Sequence, residues 1–213
     1  MEAIQTEEYR GETIEVFQDE DMEDPRAWGG LGKMVCFHKR YNLGDKHNYH
    51  YEDYDSWYEL KEAICWAEPV ALISPLFLYD HSGTSIKIGS FWGVIPENRV
   101  MFDSGQVGFI YALNKDIRDT FKVERISKKT LQKAEDYLGQ EVDTYNKYLS
   151  GDVYGYTTTS GGSCWGFYDI EEMLKEARNS IDNDIKCKTK EHCSQVKRWI
   201  QTKLPLVYRT AMA

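Results

Sequence analysis

Apolar positions along the chain follow two rhythms, and the shorter one dominates the first half. "KMVCFHKRY" (33–41) predicts a buried strand with Cys36 and His38 on one face and Val35 and Phe37 on the other, because successive strand side chains point to opposite sides. "VALISPLFLYDH" (70–81) is the most strand-like run. Pro75 within it predicts an edge position or a bulge, since proline has no donor for the ladder. "DHSGTSIKIG" predicts a hairpin turning through Gly83 into a strand that alternates Ile86 and Ile88. "QVGFIYAL" (106–113) and the shorter "GETIEVFQ" (11–18) are further strands, and "DVYGYTTTSGGSCWGFYD" (152–169) is a hairpin turning at Gly161-Gly162.

The 3.6-residue rhythm takes over later. Ser56 is placed to cap a helix carrying Trp57, Leu60, Ile64 and Ala67, and Asn114 or Asp116 to cap a short one. Residues 127–150 give the clearest helix. Ser127 caps it, Leu131, Ala134, Leu138, Val142, Tyr145 and Leu149 form its stripe, and Gly151 ends it. Asp169 with Glu172 makes a capping-box start for "IEEMLKEARNSIDNDI", and "KEHCSQVKRWIQTKL" predicts a separate basic helix stopped by Pro205. Strands arrive mostly as hairpins, helices mostly late, and no βαβ rhythm appears. The expected fold is α+β: an acidic segment over 1–27, then a single domain over 28–213. That domain has a mainly antiparallel sheet of about five to seven strands, with helices concentrated in the C-terminal half.

Composition is that of a globular protein, at 41% hydrophobic and 29% charged residues, with 15 Tyr and six Trp to be absorbed by a core or a binding face. No window approaches a membrane span and the start lacks an export signal. The five Cys are therefore expected as reduced thiols in a cytoplasmic protein.

Charge sharpens the picture more than composition does. Residues 1–27 hold ten acidic side chains against Arg10 and Arg26, densest at Glu20, Asp21, Glu23 and Asp24. Residues 186–209 hold Lys186, Lys188, Lys190, Lys197, Arg198, Lys203 and Arg209 against Glu191. This separation argues against a uniformly acidic DNA mimic and for an acidic segment that engages a basic partner.

No P-loop, dinucleotide-binding, metalloprotease or serine-hydrolase motif is present. Cys36, His38, His47 and His50 could surround zinc, against the plainer reading of a core Cys and solvated His. "DEDMED" lacks the Gly and Glu of a calcium loop and reads as an acidic turn. Cys164 could act as a nucleophile with His81 or His38 as base and Asp80 or Asp103 orienting it, or could be a small apolar residue in a hairpin. Lys190, Lys197, Arg198 and Trp199 sketch a nucleic-acid-binding helix. The acidic N-terminus is free to neutralise it, so direct nucleic-acid contact is not expected. In "FDSGQVGFIY", Asp103 and Ser104 read as a turn with Gly105 at positive φ, while Gln106 and Gly108 mark where a ligand or another backbone could come close.

The segments "MVCFHKRYNLGD", "FDSGQVGFIY", "YLSGDVYGY" and "SCWGFYD" together resemble a family of uncharacterised accessory proteins encoded by phages, plasmids and integrated mobile elements. The resemblance implies a cytoplasmic protein of the bacterial host cell that counters a defence system, as CRISPR inhibitors and antirestriction proteins do. Its partner would then be a nucleic-acid-handling host protein, such as a CRISPR effector or a restriction enzyme. The competing expectation is a small enzyme or nucleotide-ligand-binding protein whose site gathers Cys36, His38, His81, Asp103, Gln106 and Cys164.

Overall fold

Six successive residues, Val107 to Ala112, are buried, and covering both faces of that run organises residues 20–153. The computed structural model describes residues 2–81 and 83–203; Pro205 and Arg209 lie outside them. Within residues 20–153, one sheet is built from β3 (Lys33–Cys36), β4 (Val70–Asp80), β5 (Thr84–Ile88) and β6 (Ser104–Leu113), in the order β3-β6-β4-β5. Every pairing is antiparallel.

The two faces of β6 serve different helices. Ile110 and Ala112 join Met34, Leu76 and Ile86 beneath α4 (Lys128–Ser150), which presents Ala134, Leu138, Val142 and Tyr145. Phe109 and Tyr111 join Val35 beneath α1 (Trp57–Ala67), which presents Leu60 and Ile64. A strand covered on both sides must be apolar throughout, which is why "VGFIYAL" shows no alternation. The caps expected for α1 and α4 form: Ser56 accepts from the Glu59 N–H, Ser127 from the Thr130 N–H, and Gly151 closes α4 at φ 77°. For α3 (Asn114–Phe121) the expectation fails. Leu113 occupies the cap position, and the Asn114 amide instead donates to the Pro69 carbonyl at 2.9 Å.

Two irregularities sit side by side in this sheet. Pro75 lies in β4 between β6 and β5, not at an edge. Its carbonyl accepts from the Gly89 N–H at 2.9 Å, just past the end of β5, so the missing proline donor faces the side where pairing stops. One step on, the register against β6 shifts between Leu76 and Phe77, so that Val107 is bulged out of the ladder. Gly108 pairs with Cys36 at this point, and a Cβ there would collide with the Val35 carbonyl oxygen. The close approach at Gly108 is thus by another backbone.

The second compact unit combines residues 2–19 with 154–203. Here β1 (Gln5–Tyr9), β2 (Glu12–Gln18), β7 (Tyr154–Thr158) and β8 (Ser163–Phe167) make a four-stranded antiparallel sheet in that order. The first turns of α5 (Ile170–Lys203) lay Met173, Leu174, Ala177 and Ile181 on Ile14, Val16 and Tyr156. The expected α+β class with antiparallel pairing is found, carried by two sheets of four strands. Residues 1–27 are not a segment set apart: β1 and β2 are half of a sheet, and their acids are put to use. Glu7 accepts two bonds of 2.7 Å from Arg178, whose guanidinium holds that carboxyl below the usual range, and Asp182 pairs with Arg10 at 3.1 Å.

The two helices expected over 170–204 are one. Asp169 caps its start, accepting from the Glu172 N–H at 2.9 Å, and no Gly or Pro interrupts the 34 residues that follow. Among the described residues no helix is long and apolar enough to cross a membrane.

Residues 20–32 are held to the first unit by one buried cation. Asp24 caps a 3-10 turn over Pro25–Trp28, and this turn aims Arg26 inward until its side chain is only 8% exposed. Its guanidinium donates to both oxygens of Asp45 (2.9 and 2.7 Å), to Glu141 (3.0 Å) and to the Gly32 carbonyl (2.6 Å). Burial pulls the Arg26 pKa down, but bonding to Asp45 and then Glu141 outweighs it and raises the pKa above the ordinary value. Arg26→Ala leaves two half-buried carboxylates unpaired and is expected to cost about 3–5 kcal/mol, read as a lower urea midpoint. A variant as stable as the wild type would show that the network is dispensable.

Candidate functional site

The chain leaves β3 at Cys36 and makes one last sheet bond, from the Phe37 N–H to the Val107 carbonyl at 2.7 Å. It then swings out over 38–47 and back, Asp45 N–H bonding the Met34 carbonyl at 2.9 Å. The space between this loop, the end of β4 and the start of β6 is a groove of about 1310 Å³. It lies wholly within residues 20–153.

One wall is a self-ordered turn. His38 Nδ1 accepts from the backbone N–H groups of Arg40 and Tyr41, both at 3.3 Å, which fixes that nitrogen as unprotonated. The His38 ring lies flat against Tyr41, with centroids 4.9 Å apart and planes 6° from parallel. Arg40 reaches across to an ion pair with Asp80 at the end of β4, and the Tyr41 hydroxyl lies 3.5 Å from the same carboxylate. Lys39 and Lys46 project from the loop, and among the described residues neither meets a carboxylate.

The opposite wall comes from the junction of α2 (Glu97–Asp103) with β6. Asp103 is the last residue of the helix, so the expected Asp-Ser-Gly turn is a helix-to-strand junction. Ser104 Oγ donates back to the Val100 carbonyl at 2.7 Å, and Gly105 keeps a negative φ. His81 Nδ1 sits 3.1 Å from Asp103. Gln106 faces the groove and donates to the Gly108 carbonyl at 3.3 Å. Tyr51, Trp57 and Phe102 add aromatic surface, and Phe102 is 86% exposed.

The polar groups of three strand ends therefore converge: His38, Asp103 and Gln106 line one groove, and His81 is bonded to it through Asp103. Of the expected thiols, Cys164 is exposed on β8 of the other unit. Cys36 is buried, and burial, reinforced by Asp45, pushes its thiol up to about 12, which denies it a thiolate.

The four-residue zinc set does not assemble either. His38 spends Nδ1 on the backbone, His47 Nε2 faces the Cys36 carbonyl at 3.1 Å, and His50 precedes an exposed 3-10 turn. Among the described residues no three His, Cys, Asp or Glu side chains form a metal-holding group. Gly108 is buried and serves strand pairing, so it leaves the set of binding residues. Glu20, Asp21 and Glu23 are exposed, whereas Asp24 is occupied as a cap.

Asp80 was a candidate from sequence, but Arg40, Tyr41, Lys39 and Lys46 were not singled out. The available signal was position: a charged, aromatic "HKRYN" directly after a strand end, where rigid elements hold loop side chains in place. The chain matches no family model, no curated protein and no solved structure.

Thiol titration of the native protein should show four fast-reacting cysteines (Cys65, Cys164, Cys187 and Cys193), with Cys36 reacting only on unfolding. Fast labelling of Cys36 at pH 8 would contradict the burial described here.

Proposed function

We propose that the protein is a binding protein whose groove takes a small anionic ligand with a flat ring, of the nucleotide class. The observation that carries this is the pairing of Lys39 and Lys46, which have no carboxylate partner among the described residues, with a pre-stacked His38–Tyr41 face. Unpaired ammonium groups suit phosphate oxygens, and a ring held flat by two backbone bonds loses little freedom on stacking a base. Asp80 and Asp103 supply acceptors for sugar hydroxyls, and Gln106 supplies an amide for a base edge. The exposed Phe102 gives a second apolar surface beside them. The His81–Asp103 pair sits where it could move a proton, but the thiol lining the same groove is the inert Cys36.

A second reading draws on a different observation. Glu20, Asp21 and Glu23 stand exposed together, in keeping with an accessory protein of a mobile element that docks in the bacterial cytoplasm on a basic groove of a host defence protein. Among the N-terminal acids, Glu7, Glu8, Glu12, Glu23 and Asp24 accept bonds from within the protein, so a partner would meet this stretch as an already ordered surface.

Calorimetry against nucleoside mono-, di- and triphosphates separates the two readings. A micromolar complex is expected for at least one of them. Lys39→Ala with Lys46→Ala should weaken it by roughly tenfold or more without lowering the melting temperature. No heat or thermal shift with any nucleotide at millimolar concentration would sink the groove reading. Salt-sensitive capture of a nucleic-acid-handling protein, lost on Glu20→Lys/Asp21→Lys/Glu23→Lys, would put the second in its place.

A further inference from the structure

α5 outruns the sheet it packs on. Its last fully buried side chain is Ile181, and from Asn183 to Trp199 every residue is exposed. That is a free helical stretch about 25 Å long. From Asn183 to the helix end at Lys203 there are six basic side chains, Lys186, Lys188, Lys190, Lys197, Arg198 and Lys203, against two acids, Asp184 and Glu191, in a chain whose net charge is −9. Lys186, Lys190 and Lys197 recur at i, i+4 and i+11, which aligns them on one side of the helix. The N-terminal acids do not neutralise them: Glu7 is taken by Arg178, and no ion pair among the described residues involves any of the six.

We infer that this projecting half of α5 is a docking element for duplex DNA, seated in the major groove through phosphate contacts. Three features favour this occupant. A helix with its side chains is 10–12 Å across and the B-form major groove about 12 Å wide, so a stretch exposed at every residue from Asn183 to Trp199 matches that width. The lysine line runs about 16 Å along the axis, long enough to follow several consecutive phosphates on one strand. A second α5 is a poor occupant, because side-by-side pairing would set two strongly basic stretches against each other. The acidic remainder of the protein repels DNA, so contact is confined to the helix and depends steeply on salt.

The test uses the full chain and a fluorescent 20-base-pair random duplex, followed by anisotropy from about 20 to 200 mM salt. Micromolar binding at low salt is expected, with log affinity falling linearly against log salt. Lys186→Glu/Lys190→Glu/Lys197→Glu should cost at least about tenfold and reduce the slope by about three, with far-UV circular dichroism unchanged. The matching Lys→Gln triple should act in the same direction, more weakly. Absence of binding at 20 mM salt, or equal binding by the triple variant, overturns the inference. Binding confined to single strands would assign the helix to stacking through Trp199 and overturn it too. So would salt-sensitive self-association abolished by the same substitutions in a protein that leaves duplex unbound.

Discussion

One buried guanidinium holds the groove-bearing unit in register. Arg26 lies among Asp45, Glu141 and the Gly32 carbonyl, and each carboxylate is bonded again to backbone: Asp45 to the Met34 N–H at 2.7 Å, Glu141 to the Leu31 N–H at 2.6 Å. The network thus ties the incoming chain, the edge strand β3, α4 and the returning loop at a single point. Such clusters hold geometry more than they add stability, since the cost of burying three charges offsets much of their attraction. Here the geometry held is that of the groove. Asp45 and Lys46 are both on its wall, and the neighbouring Gly44 N–H is anchored to the buried Tyr145 hydroxyl at 2.9 Å. A loop that would otherwise move is fixed at its base.

The groove itself is a consequence of how β6 starts. Pairing with β3 ends at Gly108, and the bulge at Val107 shifts the register of the remaining β4 pairing from Gln106 to Ser104. Beyond that point backbone and side chains turn polar: Gln106, Ser104 and Asp103 on one side, His38 and Arg40 on the other. Rigid strands therefore deliver polar groups to an open edge, an arrangement suited to recognition because the ligand need not order it.

Charge is distributed by unit and by element. In the second unit two ion pairs join α5 to the β1–β2 hairpin, Glu7 of β1 with Arg178 and Arg10 of the turn with Asp182, both within the stretch of helix that touches the sheet. The bases farther along are left to solvent. A helix this long is supported by its packed first turns, from which the rest propagates at low cost once nucleated.

Much of the secondary structure was legible in the chain. The α4 stripe from Leu131 to Leu149, its Ser127 and Gly151 caps, the β4–β5 hairpin and the Asp169 cap all depend on local periodicity and hydrogen bonding between near neighbours. The split into two sheets was not legible, because β2 pairs with β7 across some 140 residues, and nothing in "GETIEVFQ" names its partner. The site was half legible. His38, Asp80, His81, Asp103 and Gln106 stood out by residue type, yet only the tertiary fold could bury the Cys36 thiol, bring in Arg40, and show Gly108 facing backbone. Local chemistry sets caps, turns and faces; which faces meet is decided by long-range pairing, and that is where the groove and the free basic helix arise.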